Sequence, residues 1–166
     1  GMVDSPTICT NNLISGIKAR GIAFATPALI KGLSTEEREN AVIIVQDAFT
    51  SYFETQLVLD LVDLLTGLGF YVLMAPFKPN GKPLHVHGFM KAFEKAAESN
   101  SKMLKALDET GVPLIGIDPS MTLTYRQEYG YVIPEKELPN VQLIQEWLSA
   151  QTKQLSTFNN GMLPAA

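Results

Sequence analysis

Two aspartates hold matching places in the chain: Asp47 follows the apolar run Ala41–Gln46 (AVIIVQ), and Asp118 follows Val112–Ile117 (VPLIGI). A carboxylate at the end of a buried strand has the chemistry to bind a cation or act as a base. It also suits the N-cap of the helix that follows, which is the simpler role for Asp. Between them lies Lys78-Pro79-Asn80-Gly81-Lys82, two cations flanking a turn-forming pair. Lys78 and Lys82 suit an anion. Gly81-Lys82 nevertheless lacks the upstream glycine and the following hydroxyl of a phosphate-binding loop, so a solvated loop is the plainer reading. His85 and His87 form a His-x-His pair and are the only histidines. Such a pair on a strand can hold zinc, but no other His or Cys completes the set, and packing at a helix entry is the simpler role. Ser120 lacks the glycines of a nucleophile elbow and reads as an N-cap. Tyr125, Arg126 and Glu128 sit on the helix after Asp118, where Arg126 is placed to pair with Asp118 or Asp47. Cys9 lies in a weakly patterned stretch with nothing beside it to activate a thiol.

Those residues need elements to carry them. Ala41–Gln46 is a short, β-branched, continuous apolar run, the pattern of a strand covered on both faces. Phe70–Phe77 and Val112–Ile117 repeat the type. Between the first two, Phe53, Leu57, Val58, Leu61, Leu64, Leu65 and Leu68 recur at helical period and end at Gly69; Ser51 and Glu54 have capping-box spacing before them. Gly88–Thr110 carries a second apolar stripe closed by Gly111. Ser120–Tyr129 reads as a short helix, Tyr131–Ile133 as a short strand and Val141–Ala150 as a further helix. Upstream, Asn12–Arg20 suits a short helix, and Ser34 with Glu37 predicts a capped one.

Strand–helix alternation at these spacings predicts right-handed βαβ units. The fold class is therefore a three-layer α/β domain with a mainly parallel sheet flanked by helices, Rossmann- or flavodoxin-like. Residues 1–40 read as a lead-in packing on the domain, 41–150 as its body and 151–166 as a loose tail. Ending on Leu163-Pro164-Ala165-Ala166 without a closing element predicts that the domain once continued. Open parallel sheets bind ligands beyond the carboxyl ends of their strands, so the loops after Asp47, Lys78 and Asp118 are where a site belongs.

Composition narrows the function classes. A net charge of −4 with scattered Lys and Arg argues against a nucleic-acid surface. The apolar stretch Leu57–Leu68 is broken by Asp60 and Asp63, too short for a membrane span. No basic segment precedes an apolar one at the start, so no secretory signal is expected and the compartment reads as cytoplasmic. The single Cys9 allows no intramolecular disulfide and cannot by itself build an iron–sulfur or structural zinc site.

Three segments, VQDAFTSY at Val45–Tyr52, FKPNGKPLHVHGF at Phe77–Phe89 and GIDPSMTLTYRQEY at Gly116–Tyr129, together resemble the cysteine-rich domain with a Cys-Cys-Gly signature. That domain occurs in the heterodisulfide reductase B subunit and in the iron–sulfur subunits of glycolate oxidase and anaerobic glycerol-3-phosphate dehydrogenase. It also occurs in large FAD-linked D-lactate and D-2-hydroxyglutarate dehydrogenases, whose C-terminal part carries a very similar FKPNGK segment. The resemblance covers roughly residues 41–148. In the family pattern a cysteine follows the first strand, Cys-Cys-Gly the second and Pro-Ser-Cys the third. Here those places hold Asp47 or Ala48, Pro79-Asn80-Gly81 and Pro119-Ser120-Met121. The glycine and the Pro-Ser remain, and every cysteine is gone.

The resemblance thus implies the fold without the metal site. It implies a non-catalytic module or fragment of an FAD-linked, iron–sulfur 2-hydroxy acid dehydrogenase, supporting fold or interface around redox centres on other domains. No catalytic, cofactor-binding or metal residue is assigned to this chain; FAD and iron–sulfur clusters are implied for the parent. The implied partners are other domains or subunits of that dehydrogenase, with no nucleic acid and no transmembrane segment; peripheral membrane association of the parent stays open. The alternative is a stand-alone small-molecule or anion binder using Asp47, Lys78, Asn80, Gly81, Lys82, His85, Asp118, Ser120 and Arg126. A metal-dependent hydrolase built from Asp47, His85, His87 and Asp118 is the third reading.

Overall fold

A computed structural model describes residues 6–151 and 155–156, with side chains from Asn12 onward apart from Phe49. In chain order it places α1 (Pro6–Ala19), β1 (Ala23–Phe24), α2 (Pro27–Lys31), α3 (Thr35–Glu39), β2 (Ala41–Val45), α4 (Ala48–Phe53) and α5 (Thr55–Gly67). There follow β3 (Tyr71–Met74), α6 (Lys82–Val86), α7 (Met90–Asp108), β4 (Leu114–Gly116) and α8 (Pro119–Arg126). Two 3-10 turns (Glu128–Tyr131 and Glu135–Glu137), β5 (Val141–Leu143) and α9 (Ile144–Ser149) complete it.

The five strands form one parallel sheet in the order β1-β3-β2-β4-β5. Strand alternation divides the core in two. Ala41, Ile43, Val45, Leu73 and Leu114 face a cluster with Phe93, Ala97 and Leu104 of α7 and with Tyr125 and Tyr129. Val42, Ile44, Val72, Met74 and Ile115 face Leu13 and Ile17 of α1, Val58, Val62 and Leu65 of α5, and Trp147 of α9. β2, β4 and Val72–Met74 of β3 are buried on both faces and so need continuous apolar residues, which their sequences supply; only Tyr71, at the start of β3, is exposed. The α/β expectation holds.

The boundaries differ in instructive places. Residues before 41 contribute an edge strand, β1, and three helices to the sheet assembly. Ser51 does not cap α5: Asp47 caps α4 instead, and Glu54 precedes α5 without a side-chain cap. Tyr131–Ile133 is no strand, since Tyr131 ends a 3-10 turn. Val141–Ala150 splits into β5 and α9, because β4 still has an open edge that Val141–Leu143 pairs with. The helix expected from Gly88 starts at Met90, preceded by the separate α6. Ser34 and Glu37 make both bonds of their capping box. Most of the tail, including Leu163–Ala166, lies outside the described residues, as does the side chain of Cys9.

Candidate functional site

β2 sends its crossover one way, to β3, and the chain then returns past β2 to β4. The strand order therefore reverses between β2 and β4, which is the crevice where a parallel sheet offers a site. The predicted loops do converge there, and what they build is a closed network of polar side chains.

Asp47, only 4% exposed, accepts from the Thr50 amide and the Thr50 hydroxyl, both at 2.7 Å. Gln46 donates to the Ala75 carbonyl at 2.7 Å, tying the end of β2 to the end of β3. Asp118 caps α8 through the Met121 amide at 2.8 Å. Both aspartates thus take the capping role. Ser120 does not cap; it is exposed in the first turn of α8, and its carbonyl accepts from the Thr124 hydroxyl.

The second loop is held from three sides. Asn80 is buried; its Oδ1 accepts from the Lys82 amide at 3.1 Å, its Nδ2 lies 3.5 Å from Met121 Sδ, and its carbonyl accepts from the Tyr129 hydroxyl at 2.8 Å. Asn100 of α7 donates to that same hydroxyl at 3.2 Å and to the Lys78 carbonyl at 3.4 Å. Gly81 has φ +80°, and a Cβ there would stand 3.0 Å from Ala96 Cβ and 3.1 Å from a Phe93 ring carbon. The turn therefore requires glycine both in conformation and in space. Lys78 donates to the Ser99 hydroxyl at 3.1 Å. Lys82 pairs with Glu128 at 2.7 Å, and His85 Nδ1 lies 3.0 Å from the other oxygen of Glu128. The His85 ring stacks on Tyr131 and tilts against Phe93.

Tyr125 and Tyr129 meet edge to face at 5.4 Å, and both are fully buried. Burial pushes both phenols well above their usual range; the nearby Asp47 carboxylate adds to this for Tyr125, and Tyr125 itself does so for Tyr129. Their hydroxyls fare differently. That of Tyr129 is doubly bonded, whereas that of Tyr125 lies beside Asn80 and Asn100 without completing a hydrogen bond to any described atom.

Other expectations separate. Arg126 pairs instead with Glu146 of α9 at 2.8 Å. His87 is exposed against Phe89, and no three His, Cys, Asp or Glu side chains among the described residues gather as metal ligands. The hydrolase constellation of Asp47, His85, His87 and Asp118 is accordingly not assembled. Two clefts, of about 450 and 480 Å³, lie against α7, one by Ile133 and Glu137 and the other by Pro27 and Arg38. Neither is lined by Asp47, Lys78, Asn80, Lys82, Asp118 or Ser120. The residues missed were Thr50, Tyr129 and Asn100. Only Asn100 left a signal: it falls three residues after Ala97 and four before Leu104, a polar residue on a buried stripe.

Comparison with known proteins finds relatives over nearly the whole chain. The chain is 49% identical over 148 residues to a D-2-hydroxyglutarate dehydrogenase of Pseudomonas putida, 89% of this chain but 15% of that protein. D-2-hydroxyglutarate dehydrogenases of Escherichia coli (37% over 151 residues) and Haemophilus influenzae (36% over 149) match 90% and 89% of it. The chain spans about 15% of the length of these relatives. No protein-family model matches the chain, and no solved structure does. No helix among the described residues is long and apolar enough to cross a membrane.

Proposed function

We propose that this chain is a non-catalytic module of an FAD-linked, iron–sulfur 2-hydroxy acid dehydrogenase, an oxidoreductase, and supports the fold or an interface around redox centres on other domains. The observation that carries the reading is the 49% identity, over nearly the whole chain, to a dehydrogenase of which the chain spans 15%. The site supports it: Asp47, Asp118, Lys78 and Lys82 each engage neighbours within the chain.

On this reading residues 41–150 are a cysteine-rich-type domain that has lost its cysteines, with 1–40 packed on it and 151–166 as a tail. Asn80 and Met121 stand at two of the lost thiolate positions and lie 3.5 Å from each other, as ligands of one centre must. The donors present do not fit an iron–sulfur cluster, for an amide, a thioether and a capping carboxylate replace the thiolates. Hydride abstraction at a flavin and electron transfer through clusters belong to other domains. The partners are those domains or subunits, and the compartment is the cytoplasm.

The test is a chimera in which this chain replaces its matching segment in the P. putida enzyme. Asp47→Asn and Glu128→Gln should lower its melting temperature while leaving flavin content, iron content and kcat/KM within about threefold. A loss of kcat/KM beyond about tenfold with flavin and iron fully loaded would assign chemistry to this chain and refute the module reading.

A further inference from the structure

Four large apolar side chains are exposed at the α6–α7 junction and on the first 3-10 turn, which the ring stack of His85 on Tyr131 brings together. They are Val86 (69% exposed) at the end of α6, Phe89 (62%) and Met90 (42%) at the start of α7, and Tyr131 (73%) on the first 3-10 turn. His85 joins them, its ring stacked on Tyr131 at 5.8 Å while its Nδ1 meets Glu128. Phe89 is fixed in place: its amide donates to the Leu84 carbonyl and its own carbonyl accepts from Phe93. These side chains are therefore held outward by a rigid base, and folding itself gives no reason to leave them wet.

Together they expose on the order of 500 Å² of mostly apolar surface, the size at which a patch on a lone domain marks a contact. The size also discriminates between occupants. A stable dimer of independent chains needs about 800 Å² per partner. Domains joined in one polypeptide hold together through roughly half that per side, since the tether makes association intramolecular. The chain spans only 15% of relatives that are single longer polypeptides. We infer that Val86, Phe89, Met90 and Tyr131 form the docking face for an adjoining domain of the same dehydrogenase polypeptide. This inference rests on the module reading above and adds the surface through which the module acts. Tyr131 of this face stacks on His85, whose Nδ1 lies 3.0 Å from the Glu128 that pairs with Lys82, so docking there would pass contact to the strand ends.

Hydroxyl-radical footprinting of Met90 and Tyr131 tests it, comparing the 166-residue chain alone with the P. putida chimera. Docking predicts labelling rates about tenfold lower in the chimera, independent of protein concentration. It also predicts that Phe89→Glu restores the free-chain rates in the chimera, while the free variant keeps its parent's melting temperature. Equal rates in chain and chimera overturn the inference. Protection that appears in the free chain as concentration rises assigns the face to a second copy and overturns it too. A folded chimera without dehydrogenase activity overturns the module reading, and this partner falls with it.

Discussion

Removing the hydroxyl of Tyr129 and removing that of Tyr125 are the same chemical change at adjacent, equally buried rings, yet the structure predicts opposite outcomes. The Tyr129 hydroxyl donates to the Asn80 carbonyl at 2.8 Å and accepts from Asn100 at 3.2 Å, and it closes the turn at Gly81 onto α7. Tyr129→Phe loses two bonds, each contributing about 1 kcal/mol, and strands a buried carbonyl; a loss of about 2–3 kcal/mol follows. For a chain of this length that is roughly 6–9 °C in melting temperature. Tyr125→Phe deletes a buried hydroxyl that completes no bond and should be neutral or stabilising by up to about 1 kcal/mol. Alkaline pH supplies an independent check. Both phenols are raised in the folded state, so their contribution is fully present below the unfolded value near pH 10 and is lost as pH climbs towards the raised folded values. Each tyrosine should cost about 1.4 kcal/mol per pH unit above 10, and either Phe variant should halve that combined slope. Urea unfolding followed by circular dichroism at pH 7 and from pH 9.5 to 11 measures all of this. If Tyr125→Phe proves as damaging as Tyr129→Phe at pH 7, its hydroxyl is a bonded member of the network and the account of the site is wrong.

Gly116→Ala should be the harshest small substitution at the strand ends, because the new Cβ overlaps the Thr122 hydroxyl and stands 3.0 Å from Thr122 Cβ, itself locked to the Asp118 carbonyl. A loss of about 3 kcal/mol, read as a drop in urea midpoint, is expected; an unchanged midpoint would mean α8 can shift freely. Asp47→Ala should cost about 1–2 kcal/mol and Asp118→Ala about 1 kcal/mol by removing N-cap acceptors, with more at the more buried Asp47. At acid pH the surface Arg20–Asp63 pair matters: the guanidinium hydrogen bond holds the Asp63 carboxyl below its usual range. Its stabilisation is present above the ordinary carboxylate range and disappears as pH falls through the lowered value. Asp63→Asn should therefore flatten the acid limb of a stability–pH profile, and 0.5 M salt should do the same to the parent chain.

The sheet was legible where its physics is local. β2, β4 and all of β3 but Tyr71 are buried on both faces, so their residues had to be continuously apolar, and Gly69 and Gly111 marked the helix ends by their left-handed conformation. β1 has two residues and β5 three, too short for any periodicity, and each exists because a neighbouring strand presents an open edge. The site was legible by halves. Asp47 and Asp118 could be placed at strand ends as caps because an N-cap bond spans three residues. The bond from Tyr129 to Asn80 joins residues 49 apart, and nothing in the local pattern of either announces it. Arg126 shows the same limit from the other side: its charge suggested a partner, and only the position of α9 made that partner Glu146.

Under the proposed reading the strand ends of the parent pattern are stapled by metal–thiolate bonds, and such a centre contributes on the order of 10 kcal/mol to folding. Here the same loops are joined by hydrogen bonds through Asn80, Tyr129 and Asn100, worth about 1 kcal/mol each, and by the aromatic contacts among Phe93, Tyr125 and Tyr129, worth about as much. The replacement is weaker, so it holds the loops only while nearly every member is satisfied. Gly81 admits no side chain because a Cβ there would meet Ala96 and Phe93, and the polar residues at the strand ends turn inward to one another. A loop set fixed in this way can present a surface at its rim with little cost in ordering. The rim of this one carries the exposed Phe89 and Tyr131, so on the proposed reading the contact with another domain sits beside a strand-end network already engaged within the chain.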